Sequence, residues 1–416
     1  MHSPFTKNRF DLLTHISTLW VPILLGLFTA VIIFTQDGLH TNTLSNNLKI
    51  TGLEDENNSL KVSSALALLR QQKSVPHVDT GLSEAPFWIL VSQTSASKKR
   101  GILELPSRHM LSAECWDAKS LTALGKATRE KSSGAMSPTK AGFAINLDRY
   151  QLDTREVICK ILHSGPARIS AIGRPHHELI NSERDFYHGI GLLEGGLLTL
   201  ALFTIVLAVL NSESRYLLLS VWLIFNIRMG GLSMGWDTQW LGRELPADWM
   251  PAVRKTSIAI YFLLTYSLFT YFLEKELSKS HFTWLLNAGK LSVVLLILVL
   301  PLPYQYYLPI MWCMVSFGIA VMVFFLARIL LREQSRTAVW FSLALCIVLL
   351  ASFAEVIAAA FNLKIIATAF NSVTAALASS VLVTLALAEQ MRSEKERRIE
   401  AQEELNHTYE STPIGL

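Results

Sequence analysis

The chain has 416 residues, of which 51% are hydrophobic and only 17% are charged, whereas soluble proteins average about 25% charged residues. This composition excludes an ordinary soluble enzyme and indicates a membrane protein with room for one folded domain and one helical bundle. The net charge of +4 is modest and the basic residues lie beside hydrophobic runs. Membrane topology therefore accounts for them, and we expect no nucleic-acid partner.

The first predicted element is a hydrophobic run over residues 16–34, preceded by Lys7 and Arg9. Its length is close to the ~20 residues that a helix needs to cross a bilayer. A cleaved signal peptide is the alternative, but the residues that follow, Thr35-Gln36-Asp37, contain no small-residue cleavage site. We therefore expect residues 1–35 to form a cytoplasmic N-terminus and an anchor helix.

The polar segment over residues 36–188 predicts a sensor domain outside the cytoplasm. Residues 36–80 look irregular apart from one short helix over 59–72. Beyond them, apolar runs of strand length, separated by turn residues, cover 87–91, 101–105, 143–147, 157–161 and 167–171. Short strands at this spacing indicate an antiparallel β-sandwich.

Two cysteines, Cys115 and Cys159, lie in this polar segment. An oxidising compartment would allow them to form a disulfide. The sequence does not supply the Cβ geometry that a disulfide requires, so the paired and the free form both stay open.

Seven hydrophobic stretches follow between residues 189 and 388, and each is long enough to cross a bilayer as a helix. They cover about 189–210, 216–236, 254–273, 285–303, 307–331, 337–361 and 366–388. With the N-terminus inside, most basic residues fall on the inner flanks, namely Lys7, Arg9, Arg215, Lys275, Lys279, Lys290, Arg328, Arg332, Arg336, Arg392, Lys395, Arg397 and Arg398, and the outer loops hold Arg243, Arg254, Lys255 and Lys364. This bias predicts eight spans in total, with residues 36–188 outside and both termini inside.

The last span continues as a charged helix over residues 389–410, which contains strong helix formers and neither Gly nor Pro. Met391 and Leu405 fit a heptad seam, with Ile399 in the same segment, although Arg398 falls on the seam and weakens it. A signalling helix that dimerises the chain and a solvated helix leaving the membrane are the two interpretations. Residues 411–416 look like the start of a truncated output domain.

Short motifs in the polar segment and in the first spans carry a family resemblance. They are Thr-Gly-Leu-Ser-Glu-Ala-Pro-Phe-Trp at 80–88, Gly-Ile-Leu-Glu-Leu-Pro at 101–106, Phe-Tyr-His-Gly-Ile-Gly-Leu at 186–192, Tyr-Leu-Leu-Leu at 216–219 and Gly-Gly-Leu at 230–232. In this order they resemble the bacterial seven-transmembrane receptors with diverse intracellular signalling modules, the 7TMR-DISM family. The resemblance covers residues 80–388.

The resemblance implies a jelly-roll-like periplasmic domain similar to carbohydrate-binding modules, a small-molecule ligand, and an inner-membrane receptor with a cytoplasmic output. Residues 405–416 are similar to the start of a PAS domain, which often precedes a GGDEF or GGDEF–EAL pair. The full-length protein would then synthesise or degrade cyclic-di-GMP. A histidine kinase is the alternative output.

Three ionisable residues lie within predicted spans, and such residues usually mark function. Glu194, Arg228 and Glu355 all fall about 7–12 Å below the outer surface at 1.5 Å per helical residue. With Asn226 and Asp237 nearby in sequence, they form either a ligand pocket that faces outwards or a buried ion pair that only holds helices together. In either case Arg228 can pair with one of the two glutamates, because the planar guanidinium forms two parallel hydrogen bonds with a carboxylate.

The sequence contains no motif for a catalytic or metal site that we can defend. There is no GGDEF-type run, P-loop, nucleophile elbow or zincin motif, and His176-His177-Glu178 stand alone in a Pro-containing loop. We therefore expect no cofactor, no metal and no catalytic residue in these 416 residues. A transporter is the rival class, but the predicted spans show no repeat and no Pro away from their ends.

Overall fold

The computed structural model describes residues 46–92, 101–148, 156–240, 243–246, 249–279, 281–332, 338–349 and 372–411. The strands are β1 (Asn46–Glu54), β2 (Val78–Asp79), β3 (Phe87–Ser92), β4 (Ile102–Pro106), β5 (Met110–Asp117), β6 (Ala123–Thr128), β7 (Met136–Thr139), β8 (Gly142–Asn146), β9 (Glu156–His163), β10 (Arg168–Ile169), β11 (Ala171–Arg174), β12 (Gln239–Trp240) and β13 (Arg243–Glu244). The helices are α1 (Val62–Leu69), α2 (His176–Asn211), α3 (Ser214–Met234), α4 (Met250–Phe272), α5 (Glu274–Ser278), α6 (Thr283–Leu298), α7 (Tyr304–Arg332), α8 (Ala338–Leu349) and α9 (Ser372–Ser411). The predicted anchor over 16–34 lies outside the described residues.

The N-terminal part is one antiparallel sheet of nine strands in the order β6-β5-β9-β3-β1-β11-β4-β8-β7. Strand β1 joins the two halves: up to Leu48 it pairs with β11, and from Lys49 it pairs with β3. Apolar side chains from both halves, including Ile89 and Phe143, meet in a single core. The sheet is therefore folded onto itself in a sandwich-like way, and the side chains on the inner faces of its two halves are buried between them.

The two outer strands β6 and β7 come together through the loop between them. Ala135 donates its N–H to Leu124 O at 2.7 Å and accepts from Asn146 N at 2.9 Å. Gly134 lies here with φ +69, and a Cβ on it would fall 2.2 Å from Leu124 O. Only glycine meets both demands, so this residue permits the close approach.

Several strands differ from the sequence expectation. Residues 36–80 were expected to be irregular, but β1 lies at the centre of the sheet, and that expectation was wrong. Strands β5, β6 and β7 also lie outside the predicted runs. Polar residues interrupt the apolar residues of these three strands. Pairing with neighbouring strands selects their extended backbone, since strand propensity depends strongly on context.

Helix α1 covers the outer face of one half of the sheet. Its Ala65 and Leu69 pack against Trp88 and Ile158. The turn before α1 is held by Asp55, whose carboxylate accepts from Trp88 Nε1 at 3.1 Å and Ser59 N at 3.0 Å. The helix is shorter than the predicted range of 59–72.

Cys115 of β5 and Cys159 of β9 lie directly opposite each other, with Cα atoms 4.1 Å apart, and form a disulfide. It links two central strands of one half of the sheet. The sequence had left this pairing open because strand register decides which residues face one another.

The C-terminal part is a helical bundle with its own apolar core, to which Leu197, Leu223, Phe269 and Tyr307 belong. Among the described residues, three helices are long and apolar enough to cross a membrane: His176–Asn211, Ser214–Met234 and Tyr304–Arg332. Thr283–Leu298 and Ala338–Leu349 are shorter apolar helices. The long helices of the bundle overlap the predicted spans, while the number of seven crossings stays a prediction.

Helix α2 begins at His176 rather than at residue 189. Residues 176–188 are therefore helical and do not belong to the sheet. Their polar sequence hid them from a hydropathy criterion, but Leu179 packs against Ile102 and Ala144 of the β-domain. One helix thus continues from the β-domain into the bundle.

Candidate functional site

The β-domain sits on one end of the helical bundle, and this junction is the candidate functional site. The turn after β4 and the turn after β9 contact the C-terminal end of α3 and the N-terminal end of α4. Arg108 donates to Ser233 O at 2.8 Å, and Tyr304 N donates to Glu84 Oε1 at 3.3 Å. Leu82 of the β-domain packs against the core of the bundle.

Gly235 allows the close contact at the end of α3. It ends the helix in the left-handed region, with φ +76, where glycine is favoured. A Cβ at this position would also lie 2.6 Å from Ala141 Cβ and 2.8 Å from Arg108 Cβ. Both the helix end and the docking of the β-domain therefore require glycine here.

The centre of the junction is an ion pair between Arg254 and Asp237, whose side chains are only 7% and 1% exposed. Arg254 Nε donates to the Asp237 carboxylate, and its other nitrogens reach Arg108 O at 3.0 Å and Ser164 O at 3.5 Å. A buried guanidinium is tolerated when its donors are satisfied in this way. Arg254 therefore connects the bundle to two turns of the β-domain.

Sequence reasoning counted Arg254 as an outer-loop residue, and the structure corrects this. It lies within the first turns of α4, which begins at Met250 with a Pro in its first turn. Proline at the first helical positions is a start signal that the sequence carried. This signal would have placed the start of the predicted span ahead of Arg254 and so put a charged residue inside it.

Arg228 is the second buried arginine, with 1% of its surface exposed. Its Nη1 donates to Asp237 O at 2.7 Å, and its Nε lies 3.4 Å from Ser257 Oγ. Asp237 thus receives Arg254 at its carboxylate and Arg228 at its carbonyl. Arg228 and Asp237, both predicted as site residues, therefore lie at the junction.

Asn226 links the same helix to α9. It is 4% exposed, and its side-chain amide donates to Ser380 Oγ at 3.0 Å. Ser380 in turn donates to Ala376 O at 2.7 Å within α9. Two residues of α3, Asn226 and Arg228, therefore contact α9 and the junction respectively.

Two of the predicted site residues, Glu194 and Glu355, are not shown to take part in the junction. Glu194 lies partly buried on α2, and its pairing with Arg228 stays a prediction. Glu355 lies outside the described residues, so its contribution stays a prediction as well.

A second set of contacts fixes the start of α2 on the β-domain. Glu104 is only 3% exposed, and its carboxylate forms ion pairs with Lys140 at 3.0 Å and Arg174 at 2.9 Å. Lys140 also donates to Ser182 Oγ at 2.6 Å, and Thr139 donates to Glu183. These contacts hold the first turns of α2 to strands β4, β7 and β11.

The turn that carries Arg108 is stiffened from within the β-domain. Arg129 donates to Ser107 O at 3.1 Å, Met110 O at 3.0 Å and Ala141 O at 3.1 Å. Burial lowers the pKa of Arg129 to about 10, which leaves it charged at neutral pH. This arginine holds both loops that face Gly235.

His109 lies between the two domains and is neutral at neutral pH. Its Nδ1 is 3.0 Å from Ser164 O. Burial, reinforced by the positive charges of Arg108 and Arg254, lowers the pKa of His109 from 6.5 to about 4. Protonation of this ring would add a further positive charge beside Arg108 and Arg254.

At the other end of the molecule, α9 leaves the bundle as an exposed helix. Met391 packs against the bundle core, whereas Ile399 is 47% exposed and Leu405 is 58% exposed. Arg398 reaches Glu213, at the start of α3, at 3.8 Å. The residues chosen for the heptad seam thus divide into one bundle contact and two exposed apolar side chains.

Within the described part of the chain, no group of three or more His, Cys, Asp or Glu side chains is arranged to hold a metal ion. His176, His177 and Glu178 form the first turn of α2 instead.

Comparison with known proteins matches the helical part of the chain to one family. The model described as 7TM diverse intracellular signalling covers residues 187–390. No curated protein matches the chain. Together with the apolar helices, the match supports a multi-pass membrane protein of the signal-transducing class, similar to that family from α2 to α9.

Proposed function

We propose that this chain is the sensing and transmembrane part of a receptor, in which a small ligand outside the cytoplasm changes the packing of the bundle and α9 carries that change inwards. The observation that carries the proposal is the position of α3. Arg228 of this helix donates to Asp237 O at the junction, and Asn226, two residues before it, donates to Ser380 of α9. A helix is stiff over so short a distance, so a shift at the junction moves both contacts together.

Helix α9 is built to transmit such a shift. It is one helix of 40 residues without an internal break. Between residues 376 and 391 one side of this helix packs in the bundle, where Ala386 and Leu387 are fully enclosed, and residues 395–407 are exposed. Movement of the packed part therefore displaces the exposed part as a rigid body.

The ligand acts by binding one packing of the bundle more tightly than the other. Only such differential affinity shifts an equilibrium between two states. A tenfold preference corresponds to about 1.4 kcal/mol, which is comparable with one or two hydrogen bonds at the junction. A carbohydrate-like molecule on the β-domain is the ligand class that the β-sandwich favours, by analogy of fold alone.

The topology of the proposed receptor follows from the distribution of Lys and Arg. We place residues 36–188 in the periplasm, seven spans in the bacterial inner membrane after an N-terminal anchor, and both termini in the cytoplasm. Exposed Ile399 and Leu405 support dimerisation of α9 in a homodimer.

The proposed output is synthesis or degradation of cyclic-di-GMP by a domain that follows α9, with a histidine kinase as the alternative. The test needs no ligand, because the junction can be perturbed directly. In membranes containing the full-length protein, Asp237→Asn should change cyclic-di-GMP turnover. ATP-dependent autophosphorylation in place of that turnover would identify the kinase instead.

The route through α9 is tested with a helix break. Glu396→Gly with Arg397→Gly costs the helix about 1 kcal/mol per residue and should remove the effect of Asp237→Asn on the output. The matched control is Glu396→Ala with Arg397→Ala, which keeps the helix and should keep the effect. An effect that persists across the glycine break would refute transmission along α9.

The polar group around Arg228 is a ligand pocket or a buried ion pair, and one substitution separates the two. If it is a pocket, Arg228→Ala should leave the protein folded and at its normal level in the membrane, while the output no longer responds to the ligand. If folding and membrane level both collapse, the residue serves packing alone.

A further inference from the structure

The bundle contains a cavity of about 360 Å³ that the proposed function does not use. It is formed by residues of α3, α4, α7, α8 and α9, among them Trp222, Met322, Ala344 and Val383. Its volume falls within the range of small-molecule sites, about 300–1,000 Å³. Binding sites between the helices of a bundle are a common arrangement.

The few polar groups on the cavity wall bond within the protein. Trp222 Nε1 donates to Thr265 Oγ1 at 3.0 Å, and Thr265 Oγ1 donates to Tyr261 O at 2.8 Å. Ser379 Oγ donates to Ala376 O at 3.0 Å. Water in a cavity needs two to four polar partners, and apolar cavities stay dry and take up apolar ligands. The chemistry of the wall therefore favours a hydrocarbon occupant.

The shape of the wall favours a flexible chain over one rigid molecule. Met229, Met311 and Met322 contribute to the lining from two helices. Methionine side chains are unbranched and polarizable, and they adapt to irregular apolar partners. An aliphatic chain, which has no fixed outline, matches such a surface.

The cavity lies between the junction and α9. Met229 follows Arg228 directly in α3, and Ile258 follows Ser257, the hydroxyl partner of Arg228, in α4. Ser379 and Val383 of α9 form the opposite part of the wall. An occupant would thus touch both the helices that meet the junction and the helix that leaves the bundle.

We propose that this cavity binds a single aliphatic chain of a membrane lipid or free fatty acid, and that its occupancy biases the packing of α9. The bound chain fills space between α7, α8 and α9, so it stabilises whichever packing keeps that space open. The binding stands independently of the receptor function, whereas the effect on α9 rests on it.

The test uses the protein in lipid nanodiscs with palmitic acid carrying a diazirine in its chain, followed by irradiation and mapping of adducts by mass spectrometry. We expect adducts on Met311, Met322 and Val383, and a tenfold excess of unlabelled palmitate should reduce them at least fivefold. A phospholipid with the same diazirine chain, run in parallel, tells whether the chain comes from a free acid or from bulk lipid.

Filling the cavity gives the matched comparison. Ala344 is buried on the cavity side of α8, and its neighbour Leu343 is 38% exposed. Ala344→Phe should reduce the internal adducts at least fivefold, whereas Leu343→Phe should leave them unchanged. If Ala344→Phe does not fold, Val315→Phe fills the same space from α7.

Two results would overturn the proposal: adducts confined to outward-facing side chains such as Phe317 and Val323 with both probes, or internal adducts that neither filling variant reduces. Failure of the receptor proposal would appear differently. The output would not change when the junction is altered by Asp237→Asn, while the internal labelling would persist.

Discussion

The junction between the two domains should depend on the buried pair Asp237–Arg254, and Asp237→Asn tests this. The substitution keeps the size of the side chain but leaves a guanidinium that is only 7% exposed without its counter-charge. Removing one partner of a buried pair costs about 3–5 kcal/mol. Arg254 keeps its bond to Arg108 O at 3.0 Å and its weaker bond to Ser164 O at 3.5 Å, and these offset part of the cost. We therefore expect the lower half of this range, about 3 kcal/mol.

Hydrogen–deuterium exchange in nanodiscs measures the loss locally. The amide of Trp236, bonded to Gly231 O at 2.8 Å, lies next to Asp237. Because exchange of such an amide reports local opening, a loss of 3 kcal/mol should accelerate it on the order of 100-fold.

Replacing both partners separates the buried charge from the shape of the side chains. Asp237→Leu with Arg254→Met removes both charges of the pair and should recover most of the loss, apart from about 1–3 kcal/mol for carbonyls that lose their donor. Arg168→Gln is the control, because Arg168 pairs with Asp79 at 2.9 Å with both side chains about half exposed, and such pairs contribute about 0–1 kcal/mol. Unchanged Trp236 exchange in Asp237→Asn, or an equal loss in the single and double variants, would refute the reasoning.

Three further predictions concern the β-domain and the bundle. Cys115→Ala with Cys159→Ala opens a loop of 44 residues and should cost the β-domain about 4 kcal/mol by the loop-entropy relation; thermal unfolding followed by tryptophan fluorescence should show a lower midpoint, equal to that of the reduced protein. His109 has a folded pKa of about 4, below its unfolded value of 6.5, so the stability from its neutral ring is complete above pH 6.5 and is lost as the pH falls towards 4. The slope of the unfolding midpoint over that range should flatten in His109→Gln. Gly230→Ala would place a Cβ 2.4 Å from Leu193 Cδ2, between α3 and α2; overpacking costs about 1–3 kcal/mol and should lower the midpoint of the bundle, whereas Gly191→Ala, which meets no neighbour within 4 Å, should not.

The docking of the β-domain on the bundle buries three charged residues at the junction. Arg228, Arg254 and Asp237 are each at most 6% exposed, although they lie at the boundary between two domains. A boundary held by charged hydrogen bonds is directional, because each donor needs its acceptor in place. An apolar boundary of the same size would slide more readily, so the hydrogen bonds fix the position of the β-domain on the bundle more strictly.

The sequence by itself determined the features that depend on local pattern. Hydropathy located the long apolar helices, and the five apolar runs between residues 87 and 171 all overlap strands of the sheet. The charged sequence after residue 388 predicted the exposed end of α9, because charged side chains are costly to bury. The buried positions of Arg228 and Asn226 also agree with the rule that polar residues within spans turn away from lipid.

Only the tertiary structure decided which residues meet. Strand β1 was hidden because its Asn-rich sequence becomes a central strand only when β3 and β11 lie on either side of it. The role of Arg254 depends on Asp237 and on two turns from the β-domain, more than 85 residues earlier in the chain. Burial of a charged side chain is favourable only once every partner is in place, and those partners come from segments that the fold, and not the local sequence, brings together.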